Sequence, residues 1–593
     1  MSESDHDSHG TPPSGPVVGA VLALVLAYAG SLALGLPQRG TEIIVSAAHH
    51  GEEHHDEEHH DDEHHDEAHG TDDHGEEAHA EDHSAADRDG DEHDGDDHDA
   101  DEHEEHADDH DASHGHDGDH DGDHGDDHGH GDTHAAGAAP PLWTVTPFVL
   151  LLLSIAVLPL IPATEHWWES NLNRFRVAMG LGLITLCYYG FMHGSPIESH
   201  WPAHGVVEPS SSALDVGFVR TVLENAVLVE FIPFIVLLFS LYTISGGIRI
   251  SGDLQANPMT NAIFMGAGGI LASFIGTTGA AMLLIRPLLE TNQERKHVVH
   301  TVVFFIFIVC NCGGCLLPIG DPPLFLGYLR GVDFFWTLEL WRPWLMCNGL
   351  LLLAYLLLDN LYYYPRETEA DITRDLKNIR YMKYEGLAVN GPLLLGVVAA
   401  VALLDPSKTI PGTTWHPWMY LREVVQLSLV GLSLYLGSTR VREENKFNYH
   451  AILEVAALFS GIFICMQPAL QILGEQGPKL GIDAPMAFFW ITGGLSSVLD
   501  NAPTYVVFFE TARTLSPVEG DALIAGVSES RLVAISLGAV FMGAMTYIGN
   551  GPNFMVKAIA EKAGVKMPSF FGYMVYSCVF LLPLLVFVAW RSL

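Results

Sequence analysis

The chain has 593 residues, with 74 Asp and Glu against 28 Lys and Arg and a formal net charge of −46. So acidic a chain offers nucleic acid no basic surface, and none is expected as a partner. The charge is unevenly spread: residues 51–134 hold 38 acidic residues and one basic residue, Arg88, so the chain falls into two parts with different physics.

The first apolar run, "VVGAVLALVLAYAGSLALGL" at 17–36, reads as a signal anchor or signal peptide closing a segment 1–36. A segment 37–141 follows, with 24 histidines between His49 and His134 in units such as "EEHHDEEHHDDEHHDEAHG". It has almost nothing apolar to set against its ordering entropy, so it is expected to be disordered. His54, His55, His59, His60, His64 and His65 are candidate loose ligands for Zn2+ or another divalent metal. The tract also reads as a solvated polyelectrolyte that titrates near neutral pH, or as a plain low-complexity spacer.

From about residue 142 the chain is a series of apolar runs fit to cross roughly 30 Å of hydrocarbon. Spans are predicted near 142–162, 177–192, 224–247, 298–329, 343–361, 386–404, 419–437, 448–473, 532–556 and 569–590. Two further pairs, 262–289 and 485–512, are each interrupted by a small polar stretch, "IGTTGAA" at 275–281 and "VLDNAPT" at 498–504. Their arms look too short to span, so each pair reads as a re-entrant hairpin. Basic residues at Arg174, Arg176, Arg249, Arg295, Lys296, 366–383, 440–446 and 557–566 fall on one predicted side, taken as cytoplasmic. The 193–219 loop, without Lys or Arg, falls on the other, which places the histidine tract outside a cell (inner) membrane. The seven cysteines lie in apolar segments and read as packing residues; "CNCGGC" at 310–315 offers three thiols, yet glycine-mediated helix packing explains it better than zinc.

One order of parts occurs twice. "LVEFIPFIVLLFSLYTISGG" (228–247), the "IGTTGAAMLL" hairpin and "CGGCLLPIGDPPLFLGYL" match "ILEVAALFSGIFICMQPAL" (452–470), the "LDNAPTYVVF" hairpin and "TYIGNGPNFMVKAI". The repeats cover about 224–361 and 448–590 of a domain 142–593, and by the predicted topology they are inverted. The fold class is therefore an all-α polytopic membrane protein, an inverted-repeat ion-transporter fold with two re-entrant hairpins and two broken helices. Gly320, Pro322, Pro323, Gly549, Gly551 and Pro552 end regular hydrogen bonding and free backbone groups at the breaks.

Asp321 and Asp500 are the central candidates for ion binding and proton coupling, because an acid at membrane depth costs roughly 3 kcal/mol or more and usually marks an ion path. At that depth proton and cation compete for the carboxylate. A helix-capping role is the plainer alternative for either acid. Asn311, Asn501, Asn550, Asn553, Thr277, Thr278 and Thr504, with the freed carbonyls, suit a small hard cation such as Na+. No Lys or Arg lies at the breaks, which disfavours an anion there. Glu230 and Glu454 are secondary candidates, lining the path or pairing within the scaffold. Arg286 reads as a snorkelling or positive-inside residue.

"GTTGAAMLLIRP" (276–287), "PIGDPPLFLGYLRGV" (318–332), "LDNAPTYVVFF" (499–509) and "TYIGNGPNFMVKAI" (546–559) resemble the NhaD-type sodium/proton antiporters of the ion-transporter superfamily, alongside arsenite permeases and citrate transporters. The resemblance covers roughly 145–593. It implies a homodimer in the lipid bilayer, with a scaffold domain and a moving transport domain, and it gives Asp321, Asp500, Asn501 and Asn550 the site roles. The expectation is a secondary transporter, not an enzyme, exchanging Na+ for H+, with no cofactor in the core. A carrier of citrate or another organic anion, possibly metal-complexed, is the nearest alternative. An intramembrane aspartyl protease is a weaker one, since Pro318 replaces the first Gly of its G-x-G-D motif. A metal sensor that transports nothing is a third.

Overall fold

The computed structural model describes residues 14–57, 139–370, 375 and 380–593. Of the histidines named as loose metal ligands, His59, His60, His64 and His65 lie outside the described residues, and His54 and His55 fall in the last turn of the helix Leu36–Glu57.

Among the described residues, six helices are long and apolar enough to cross a membrane: Gly15–Ala33, Leu142–Leu160, Val216–Ser245, Pro258–Ile275, Trp336–Arg366 and Phe570–Ser592. The strands among them form three two-stranded antiparallel ribbons only. The protein is an all-α, multi-pass membrane protein.

The N-terminal helix Ser14–Ala33 turns at Gly35 (φ +71°) into Leu36–Glu57. Helix thus runs into the segment given no fold from sequence, because "TEIIVSAA" at 41–48 still carries apolar residues that the acidic tract lacks. Tyr28 donates to the Met419 carbonyl (3.0 Å), and Thr41 Oγ1 donates to the Pro417 carbonyl (3.2 Å) and accepts from the Met419 N–H (2.9 Å).

The first repeat opens with Val216–Ser245, capped by Asp215, whose side chain accepts from the Phe218 N–H. The helix is π-wound over Glu224–Phe231. A hairpin follows, Pro258–Ile275 and Thr277–Thr291, broken at Gly276, where φ is +79° and a Cβ would be strained. Its first arm is longer than expected. Asn257 accepts from the Thr260 N–H and Pro258 takes the first helical position, so the helix starts a turn before the apolar run and reaches 18 residues, enough to span. In the second repeat the arms stay short, Pro485–Ser496 with 12 residues and Asn501–Arg513 with 13. That repeat opens with His450–Cys465 and Gln467–Gln476 where one span was expected, and the chain bends there by 42°. Pro468, in the first turn of the second helix, brings no N–H to carry the ladder across the bend.

Each repeat then threads a broken helix through the middle. Every residue from His300 to Val309 in Val299–Val309 is buried, and so is every residue from Ala534 to Met542 in Glu529–Met542. These buried stretches are nearly all apolar on every side, because they turn no face outward. Glycine lets them approach their neighbours: a Cβ at Gly538 would stand 2.6 Å from the Phe489 carbonyl oxygen.

Candidate ion-binding site

Asp321 occupies the N-cap position of the helix Pro322–Leu329, yet its side chain caps nothing. Pro322 and Pro323 have no N–H, so the first turn presents fewer donors to cap and the carboxylate is free to point elsewhere. It is 1% exposed. Its Oδ1 accepts from Thr277 Oγ1 (3.0 Å) and Asn550 Nδ2 (3.2 Å), and its Oδ2 from Asn501 Nδ2 (2.8 Å). These three donors come from the first hairpin, the second broken helix and the second hairpin, and Asp321 sits at the first broken helix, so one carboxylate joins all four breaks.

Asn550 holds the matching position before Gly551–Lys562, and its side chain likewise caps nothing. Besides Asp321 it donates to the Cys310 carbonyl (3.0 Å) and to Asn311 Oδ1 (3.2 Å). Asn311 Nδ2 in turn donates to Asn553 Oδ1 (2.7 Å), and Asn553 Nδ2 donates to the carbonyls of Gly543 (2.9 Å) and Thr546 (3.0 Å). Five of the residues singled out from sequence as core candidates, Asp321, Asn501, Asn550, Asn311 and Thr277, therefore form one buried hydrogen-bonded group, and Asn553 extends it.

The other candidates lie nearby with different partners. Asp500 is half-buried and caps Asn501–Arg513, accepting from the Ala502 N–H at 3.0 Å, while Thr504 Oγ1 donates to the Asp500 carbonyl at 2.9 Å. Thr278 is half-buried next to Thr277, and its hydroxyl is not among the donors to Asp321. Glu230 and Glu454 are ion-paired away from this group, with Arg330 (2.8 Å) and Arg174 (3.0 Å) respectively. The thiols of Cys310, Cys312 and Cys315 do not converge on a shared metal position; among the described residues the one group of three ligand atoms close enough for that is Asp253, Glu294 and Asp375.

Two glycine contacts hold the breaks in register. A Cβ on Gly320 would fall 2.2 Å from the Gly314 carbonyl oxygen, and a Cβ on Gly549 would fall 2.6 Å from that of Gly543. The matched serines, Ser273 and Ser496, each donate at 2.7 Å to a carbonyl, of Gly313 and of Ala539. Sequence reading passed over Gly314 and Gly543, although a glycine six residues before the glycine of each I-G-[DN] motif was a visible signal. It also passed over Arg330, which pairs with both Glu230 and Glu510 (3.0 Å) although 100 and 180 residues separate it from them.

Chemically, the group presents one carboxylate, one hydroxyl and several amide and backbone oxygens, and among the described residues no Lys or Arg bonds to Asp321. Oxygen ligands with a single acid suit a hard cation or a proton. A multi-pass helical protein whose broken helices meet at such a buried acid is a membrane transporter. A family model described as "Putative citrate transport" matches residues 137–593, and the chain belongs to that family. No curated protein matches the chain.

Proposed function

We propose that the protein is a secondary carrier in which a sodium ion and a proton compete for Asp321, so that the gradient of one drives the other. The observation that carries this reading is the buried Asp321 carboxylate surrounded by three neutral donors. A bound sodium ion would take up carboxylate, hydroxyl and amide oxygens as the donors turn away. A bound proton would neutralise the acid in their place. Asp500, at the second hairpin tip, is the second acid able to exchange protons. The carrier works as a homodimer in a cell (inner) membrane with the histidine-rich segment outside, where its imidazoles collect Zn2+ or other divalent ions.

The test is sodium-dependent proton movement in inside-out vesicles, for the parent, Asp321→Asn and Asp500→Asn at several pH values. The parent should respond to sodium, and Asp321→Asn should lose the response entirely while remaining folded and membrane-inserted. A sodium response that survives Asp321→Asn would overturn the assignment.

The family description favours a second reading, in which the same cation site drives uptake of an organic anion such as citrate. Citrate accumulation that depends on a sodium or proton gradient, in place of sodium-driven proton release, would select it.

A further inference from the structure

Two helices that start at the Asp321 group run side by side and are fastened again at their far ends. Pro322–Leu329 follows Asp321 and is closed by Arg330, and Asn501–Arg513 begins with Asn501 and carries Glu510. At the near end Asn501 Nδ2 donates to Asp321 Oδ2 (2.8 Å). Nine residues further along each chain segment, Arg330 Nε donates to Glu510 Oε1 (3.0 Å). Nine residues of helix rise roughly 13 Å. Between the two ends Gly327 lies so close to Tyr505 that a Cβ on the glycine would run into the phenol.

Arg330 is held from three directions. Besides Glu510, its terminal N–H groups reach the Leu326 carbonyl (3.2 Å) and Glu230 Oε1 (2.8 Å), the latter on the π-wound stretch Glu224–Phe231. The three charged side chains are largely buried, and no hydrogen bond reaches Glu230 Oε2 among the described residues. Such a bridge is a poor way to stabilise a helix pair, because desolvating the charges costs about as much as their attraction returns. The other repeat does without it: Gly551–Lys562, the helix matched to Pro322–Leu329, has Ile559 where Arg330 would stand. What the bridge does fix is register. Arg330 and Glu510 stay bonded only while the two helices keep one axial offset, and that offset also sets where Asn501 stands relative to Asp321.

We propose that Arg330 is a positioning residue of the ion site: through Glu510 and the two helices it holds the Asn501 amide at the place beside Asp321 that sodium binding requires. This role rests on the sodium and proton exchange read above. The sign of its loss separates positioning from charge. Removing a nearby cation would by Coulomb attraction alone tighten sodium binding. Loss of register weakens it, since the ligands of a site tolerate only about 0.5 Å of displacement.

The test measures sodium-dependent proton movement by the full-length protein in inside-out vesicles over a range of sodium concentrations. Arg330→Gln should raise the concentration for half-maximal movement roughly tenfold, with the maximal rate per folded carrier retained. Arg330→Lys, which keeps the charge without the fork and reaches one acid at a time, should fall between it and the parent. If Arg330→Gln loses its monodisperse peak in size-exclusion chromatography, Arg330→Gln with Glu230→Gln takes its place. That pair removes one charge of each sign and leaves Glu510 with Arg513, 3.3 Å away. A half-maximal concentration that is unchanged or lowered, whatever the melting temperature, overturns the positioning role and leaves the exchange reading standing. A parent that does not respond to sodium overturns the exchange reading and this role with it.

Discussion

Asp321 and Asp500 show how one residue type at similar breaks takes two roles. Asp500 spends an oxygen on the Ala502 N–H, as a capping aspartate does, while Asp321 sits before two prolines and turns to Thr277, Asn501 and Asn550. A hydrogen bond to a charged group contributes about 1.5–3 kcal/mol. The Asn501 bond holds the empty carboxylate, and a bound sodium ion would take up the Asn501 amide oxygen in its place; Asn501→Ala removes that oxygen and should raise the sodium concentration for half-maximal proton movement by roughly tenfold, with folded protein retained, as a sodium titration in vesicles would show. A second acid, outside the spans, reports on stability. Burial alone would raise the Glu367 carboxyl, but the backbone N–H groups of Lys296 (3.0 Å) and His297 (2.9 Å) and the nearby Arg295 guanidinium outweigh it and hold it below the usual carboxylate range. A depressed folded value means stabilisation that is present at neutral pH and lost as pH falls through that value. Glu367→Gln should melt below the parent at pH 7 in thermal melts, and the gap should close only as pH falls through the depressed value of the parent carboxyl, below the usual carboxylate range.

The breaks themselves are a matter of elements, and they tolerate little. At Gly320 an added Cβ would meet the Gly314 carbonyl at 2.2 Å and the Ser273 Cα at 2.9 Å, all backbone that cannot step aside. Gly320→Ala should cost several kcal/mol and deplete the monodisperse peak in fluorescence size-exclusion chromatography, and Gly549→Ala should do likewise. Gly551, two residues after Gly549 and with nothing within 4 Å of its would-be Cβ, should accept alanine without that loss. These positions were legible in the sequence because Gly and Pro interrupt apolar runs in a recognisable order. Element lengths were less so. The cap at Asn257 lengthens the first hairpin arm beyond its apolar stretch, and the bend beside Met466 divides a run whose hydropathy is continuous. Hydropathy records what is apolar, whereas caps and local geometry decide where a helix starts and bends.

Across the whole molecule the two repeats supply equivalent parts, and at the matched broken-helix positions, Asp321 and Asn550, only the first carries a charge. Sequence alone paired Asp321 with Asn550, but the surroundings that make them unequal come from contacts 229 to 242 residues apart and left no local trace. The Asn550 amide faces three acceptors: Asp321 Oδ1, Asn311 Oδ1 and the Cys310 carbonyl. Exchanging the two side chains, Asp321→Asn with Asn550→Asp, keeps the number of carboxylates and amides constant while moving the charge to the other repeat. If the site were symmetric, function would survive. Here the new carboxylate meets the Cys310 carbonyl, which has no proton to offer, and Asn311 can turn a donor toward it only by giving up its bonds to Asn553 (2.7 Å) and the Ile306 carbonyl (2.9 Å). Each buried group left unsatisfied costs about 1–3 kcal/mol. The double variant should therefore show no more sodium-dependent proton movement than Asp321→Asn alone, and should melt below it. Restored coupling in the exchanged protein would mean that the carboxylate can serve from either repeat, and that the asymmetric amide network around Asn550 does not set where the ion binds.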